Sequence, residues 1–74
     1  MTEVSKTLAR AIQLMDCFTH EHPQLGVREA ARMTGLSSST TGRLLASLRE
    51  LGLLVQDSET HQYSRAGQVP SWAD

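Results

Sequence analysis

The chain has 74 residues, of which 39% are hydrophobic, so it forms at most one small domain and has no room for a deep catalytic cleft. A single cysteine excludes an internal disulfide and a cysteine-based zinc site, and predicts a cytoplasmic protein. The formal net charge is −1, whereas chains that bind nucleic acid by charge alone are strongly basic. Charged residues interrupt the apolar pattern of the first 20 positions, so neither a signal peptide nor association with a membrane is predicted.

A first helix is predicted over residues 7–20. Its apolar residues are three or four positions apart, as one buried stripe requires: Leu8, Ala11, Ile12, Met15 and Phe18. Ser5 or Thr7 is the expected N-cap, and Pro23 is expected to end the helix because proline disfavours helical geometry in the residue before it. Leu14 widens the apolar face, and we expect part of that face to contact another subunit.

A helix-turn-helix is predicted over residues 27–51, with helices at 27–34 and 38–51. Gly26 is the expected N-cap of its first helix, Gly35 the left-handed residue that ends it, and Ser37 the N-cap of the next. The apolar side of the later helix consists of Thr41, Leu44, Leu45, Leu48 and Leu51. Its opposite side is small, polar and cationic: Ser39, Gly42, Arg43, Ala46 and Arg49. No acidic residue occurs between positions 37 and 49.

After Gly52 the pattern changes from helical to extended. Residues 53–56 and 62–64 are predicted to pair as strands around a turn at 57–61, and a third short strand is possible at 24–25. The prediction is therefore a mainly α fold with a small β-hairpin: a winged helix-turn-helix, built as a three-helix bundle with a two- or three-stranded wing. We expect this domain to span residues 1–65 and residues 66–74 to be a tail or a truncated linker.

The polar face of the predicted third helix is the candidate functional surface. In a helix-turn-helix the second helix enters the DNA major groove, where its first residues approach base edges and phosphates. The candidate contacts are Ser37, Ser38, Ser39, Thr40, Gly42 and Arg43, with Arg28 and Arg32 on the flanking backbone. A Ser/Thr run is equally typical of a helix start that is merely exposed to solvent. For Arg43, the alternative to DNA contact is an ion pair with Glu29 or Glu50.

Two other classes of function compete with DNA binding. A winged helix that binds another protein and no nucleic acid is the alternative that the net charge favours. An enzyme is not expected, because no acid, base and nucleophile fall together in a sheltered site, and neither a cofactor nor a metal ion is expected.

The string ARMTGLSSSTTGRLLASL, residues 31–48, resembles the helix-turn-helix signature of the IclR family of transcriptional regulators. Residues 10–12 and 57–63 resemble the flanking segments of that family, and the similarity covers about residues 5–65. The sequence departs from the family pattern at Ser38, where a basic residue is common, at Gly42, where a larger polar residue is common, and at His61, which replaces the wing-tip glycine.

The resemblance implies a homodimeric regulator that binds palindromic promoter sites in double-stranded DNA, either as a repressor or as an activator. It also implies a separate domain, absent from this chain, that binds a small-molecule effector. By position, Ser38, Ser39, Thr40 and Arg43 match the groove-facing residues of the family, and Thr60, His61 and Gln62 match its wing tip.

Overall fold

The computed structural model describes residues 5–68 and contains three α-helices followed by a β-hairpin. The helices are α1 (Lys6–Asp16), α2 (Val27–Thr34) and α3 (Ser38–Glu50), and the strands are β1 (Leu54–Gln56) and β2 (Tyr63–Arg65). A short 3-10 helix follows at Ala66–Gln68, within the predicted tail. The remainder of that tail, residues 69–74, lies outside the described residues. The predicted winged helix-turn-helix is confirmed.

Helix α1 is shorter than predicted and buries a different face. Ser5 is its N-cap and accepts a hydrogen bond from the Leu8 N–H. The helix ends at Asp16, seven residues before Pro23, so the prediction that Pro23 ends it is wrong: the Cys17 and Phe18 N–H groups already donate to the Leu14 and Met15 carbonyls, three residues back, which tightens and closes the helix. The Thr19 hydroxyl and carbonyl both accept from the His22 N–H, which gives this segment a turn in place of a fourth helical turn.

The predicted buried stripe of α1 is wrong at two positions. Leu8 and Ile12 are 63% and 62% exposed, whereas Leu14 is fully buried beside Phe18. Both sets of residues have helical spacing, so the periodicity alone did not distinguish them. The packing of α1 against α3 rotates the buried face toward Leu14 and leaves Leu8 and Ile12 on the surface.

Glycine and serine make the tight connection between α2 and α3. Gly35 adopts φ +77°, a left-handed conformation that glycine reaches without steric cost, and its N–H donates to the Ala31 carbonyl. The Ser37 hydroxyl then accepts from the Thr40 N–H at 3.1 Å, which caps the start of α3. The predicted caps at Gly35 and Ser37 are therefore observed, and they set the direction of α3 relative to α2.

One hydrophobic core joins the three helices to the hairpin. Its buried members come from the three α-helices, both strands and the segment between α1 and α2: Leu14, Phe18, Leu25, Ala30, Leu45, Leu48, Leu54 and Tyr63. Leu51 was predicted to join them but is 74% exposed, because α3 ends at Glu50 and the chain reverses at Gly52, where φ is +84°.

The hairpin pairs β1 with β2 in antiparallel register, Val55 opposite Ser64. Its strands each start one residue later than predicted. The third strand is reduced to a single bridge in which Leu25 and Tyr63 exchange backbone hydrogen bonds of 2.9 and 2.8 Å. This bridge connects the hairpin to the segment just before α2, so the wing stands beside the helix-turn-helix.

Candidate nucleic-acid interface

The first turn of α3 presents hydroxyl groups to the surface. Ser38 and Ser39 are exposed, Thr40 is half-buried, and no acidic residue lies in this turn. Backbone N–H groups at a helix start carry partial positive charge, and they can donate to an anion together with nearby hydroxyls. This part of α3 is thus suited to phosphate oxygens.

Gly42 lies on the side of α3 that faces α2 and is half-buried. A Cβ atom built at this position would be 3.7 Å from Val27 Cγ1, an ordinary van der Waals contact. The site therefore has space for alanine, and the glycine is not required by the packing of α3 on α2.

Arg43 is exposed and makes no ion pair with any side chain of residues 5–68. The two carboxylates that were considered as its partners bind other arginines: Glu29 lies 3.3 Å from Arg32, and Glu50 lies 3.6 Å from Arg49. The structure thus leaves the Arg43 guanidinium available to a ligand, which supports the interpretation of this residue as a contact residue.

Arg49 was placed by its spacing on the cationic face of α3, but its contacts are structural. Its guanidinium donates to Gln56 Oε1 at 2.6 Å, and the Gln56 amide donates in turn to the His61 carbonyl at 3.2 Å. This chain of hydrogen bonds fastens the hairpin to α3. Arg49 therefore positions the wing.

The predicted wing residues and Arg28 come together in one open cleft between α2 and the hairpin, here called the α2/wing cleft. Its lining includes Arg28, Thr60, His61 and Gln62, four of the residues proposed from the sequence. Arg32 and Glu29 also line it, already paired with each other. The cleft thus joins Arg28 to the wing tip, although the two are far apart in sequence.

The turn of the wing is held by Asp57. Its carboxylate accepts from the Glu59 and Thr60 N–H groups at 2.7 and 3.2 Å, and these backbone hydrogen bonds lower the pKa of Asp57 below its ordinary value. His61 adopts φ +63°, the left-handed region in which the family pattern has glycine. The turn with His61 therefore keeps a glycine-like backbone, and the imidazole is exposed at the wing tip.

A second open cleft, of about 290 Å³, lies between α1 and α3 and is here called the α1/α3 cleft. Its lining is Thr7, Arg10, Thr40, Arg43, Leu44 and Ser47. Sequence analysis found Thr40 and Arg43 but missed Thr7, Arg10 and Ser47. Thr7 and Ser47 belong to no motif, and the family-like segment at residues 10–12 does not place Arg10 beside α3, because these residues meet only when α1 packs across α3.

Other groups within residues 5–68 offer little chemistry. No cluster of three or more His, Cys, Asp or Glu side chains suited to a metal ion occurs among them. Within the same range no helix has the length and apolar character that crossing a membrane requires. Partial burial, reinforced by Asp16, raises the pKa of the Cys17 thiol, which keeps it in its less reactive protonated form at neutral pH.

A helix-turn-helix whose third helix has no acidic residue before Glu50, together with an adjacent hairpin, defines a winged helix domain of the class found in DNA-binding regulators. Residues 7–58 match the model of the IclR helix-turn-helix domain, and the chain belongs to this family.

Relatives and a solved structure agree with this assignment. The chain is 31% identical over 58 residues to the HTH-type transcriptional regulator KipR of Bacillus subtilis, and 30% identical over 60 residues to the HTH-type transcriptional regulator XynR of Escherichia coli. These matches cover 78% and 81% of the chain but only 23% and 24% of the two relatives. An IclR family transcriptional regulator from Brucella abortus superposes with a TM-score of 0.83 at 36% identity, over 85% of this chain and 24% of that one.

Proposed function

We propose that this domain binds double-stranded DNA sequence-specifically, with α3 in the major groove, as the DNA-binding part of a transcriptional regulator in the cytoplasm. The observation that carries the proposal is Arg43, which is exposed on the acid-free part of α3, whereas Arg32 and Arg49 are paired with carboxylates. An unpaired guanidinium on a helix of this kind can make two hydrogen bonds to guanine or bind a phosphate.

Each of the other candidate residues has a distinct part in this proposal. The cap region of α3 approaches the DNA backbone, with Gly42 at the edge of this region that borders α2. These residues are Ser37, Ser38, Ser39, Thr40 and Gly42. Arg28 and the wing tip, which share the α2/wing cleft, contact the flanking backbone. The small side chains at positions 38 and 42 offer few base contacts, so we expect modest affinity from a single domain.

We further propose that the domain acts as a homodimer on a palindromic site. Leu8 and Ile12 lie one helical turn apart on α1 and are largely exposed, which supports a contact between subunits there. Because the chain spans about a quarter of the two regulators it matches, we also propose that the full-length protein includes an effector-binding domain.

A selection from a randomised duplex library, followed by a salt titration of the selected duplex, tests the proposal. Binding is expected to weaken steeply as salt rises, because each neutralised phosphate releases counterions. Arg43→Ala is expected to cost about 1–3 kcal/mol of binding free energy without changing thermal stability. Arg32→Ala is the matched control, and a much smaller loss is expected because Glu29 already offsets that charge.

Two results would contradict the proposal. The first is absence of duplex binding at low salt, above all if a protein partner is retained at high salt, since that pattern defines a protein-interaction module. The second is an Arg43→Ala variant that melts earlier but binds DNA with unchanged affinity, which would make Arg43 a structural residue.

A further inference from the structure

The α1/α3 cleft has the chemistry of an anion site built from two helices. Each helix contributes one arginine and at least one hydroxyl group: Arg10 and Thr7 from α1, and Arg43, Thr40 and Ser47 from α3. The remaining lining residue is half-buried Leu44, and none of the carboxylates within residues 5–68 belongs to the lining. Two guanidinium groups and three hydroxyls without a counter-charge favour a ligand with several anionic oxygens.

The arginines within residues 5–68 fall into a paired and an unpaired group, and two of the unpaired ones line the α1/α3 cleft. Within residues 5–68, Arg32 and Arg49 are bound to carboxylates, and Arg65 donates to the Met15 carbonyl at 2.8 Å. In that range Arg10, Arg28 and Arg43 are exposed and have no ion pair; Arg28 lines the α2/wing cleft, whereas Arg10 and Arg43 share the α1/α3 cleft. Two unpaired guanidinium groups lining one cleft repel each other, so an anion between them is stabilised by both.

The positions of these residues within their helices favour an anionic ligand as well. Thr7 and Arg10 lie in the first turns of α1, and Thr40 and Arg43 lie in the first turns of α3. Neither helix has an acidic residue in its first turn. The starts of both helices therefore add no negative charge near this cleft.

We propose that the α1/α3 cleft binds a backbone phosphate of the DNA, with Arg10 as a contact residue outside the helix-turn-helix. The inference rests on the proposed function, because it places the phosphate on the duplex whose major groove receives α3. Arg43 borders both the exposed face of α3 and the cleft, so a strand that passes Arg43 continues over the start of α1. Arg10 then supplies affinity that is independent of base sequence, which a domain of net charge −1 otherwise lacks.

The test compares the 74-residue wild-type chain with Arg10→Gln on two fluorescent duplexes, one selected and one scrambled, over a range of KCl concentrations. Arg10→Gln is expected to weaken binding to both duplexes by the same factor, about tenfold at low salt. The slope of log K against log salt is expected to fall by about 0.9 for each bound subunit, the value for one phosphate contact. Arg10→Lys, which keeps the charge, is expected to retain the slope.

Two controls separate a local contact from general charge and from misfolding. The double variant Arg10→Gln/Asp16→Asn restores the net charge of −1, because Asp16 is an exposed carboxylate at the far end of α1. It is expected to bind as weakly as Arg10→Gln if the contact is local. Unchanged far-UV circular dichroism and melting temperature are expected for both variants, because the Arg10 side chain is exposed.

The outcomes distinguish this inference from the proposed function. If the wild type binds neither duplex at low salt, the proposed function fails and the cleft proposal fails with it. If the wild type binds but Arg10→Gln changes neither affinity nor slope, or if the double variant recovers full binding, only the cleft proposal is overturned. A loss confined to the selected duplex would mean that Arg10 contacts a base. Inorganic phosphate that binds the cleft in NMR titrations, with duplex binding unaffected by Arg10→Gln, would identify a free-anion site instead.

Discussion

Replacement of Thr41 by valine is expected to stabilise the domain. Thr41 has no exposed surface, and within residues 5–68 its Oγ1 has no hydrogen-bond partner. A hydroxyl buried without a partner costs about 1–3 kcal/mol relative to its hydrated state. Valine has nearly the same shape, replaces the hydroxyl with a methyl group and has a similar helix propensity. Thr41→Val is therefore expected to raise the free energy of unfolding by about 1–2 kcal/mol.

Urea and thermal denaturation followed by far-UV circular dichroism measure this effect. In a domain of this size, about 1 kcal/mol corresponds to a rise of roughly 4–8 °C in melting temperature. Thr34→Val is the matched control, because the Thr34 hydroxyl donates to the Ala30 carbonyl at 2.9 Å. Its removal is expected to lower stability by about 1 kcal/mol. A Thr41→Val variant that is less stable than the wild type, or that changes as Thr34→Val does, would refute the reasoning.

Two further predictions concern the wing and the corrected face of α1. Because the folded-state pKa of Asp57 is lowered, its carboxylate contributes stability that is present above the unfolded pKa of about 3.9 and is lost as pH falls through the folded value. The stability difference between wild type and Asp57→Asn should therefore shrink on acidification, and a difference that is constant with pH would contradict this. Leu14→Ala is expected to lower the free energy of unfolding by about 2–5 kcal/mol, because it leaves a cavity in the core. Leu8→Ala is expected to lower it by less than about 0.5 kcal/mol, because Leu8 is exposed. Urea denaturation measures both values, and equal losses would contradict the difference in burial between the two leucines.

The helix-turn-helix was predictable because its signals are local. Gly35 and Ser37 act on the residues beside them, by a left-handed backbone and by a hydroxyl cap, so their effect does not depend on distant parts of the chain. The change from helical to extended spacing after Gly52 is equally local, and the hairpin formed within one residue of its predicted strands.

The buried face of α1 was not predictable by the same means. Leu8, Ile12 and Leu14 all fit a helical period, and the packing partner decides which of them enter the core. The candidate nucleic-acid interface shows the same contrast between features set by neighbouring residues and features set by tertiary packing. The hydroxyls and arginine at the start of α3 follow from a pattern of neighbouring residues, whereas the function of Arg49 depends on Gln56 across a tertiary contact.

The sequence by itself determined the order of the elements, the turn between α2 and α3 and the acid-free surface of α3, because capping, backbone conformation and side-chain charge operate over a few residues. Only the tertiary structure brought Arg28 beside the wing tip and Arg10 into the same cleft as Arg43. These groupings join residues far apart in the chain, and the core that packs α1, α3 and the hairpin together sets their distances.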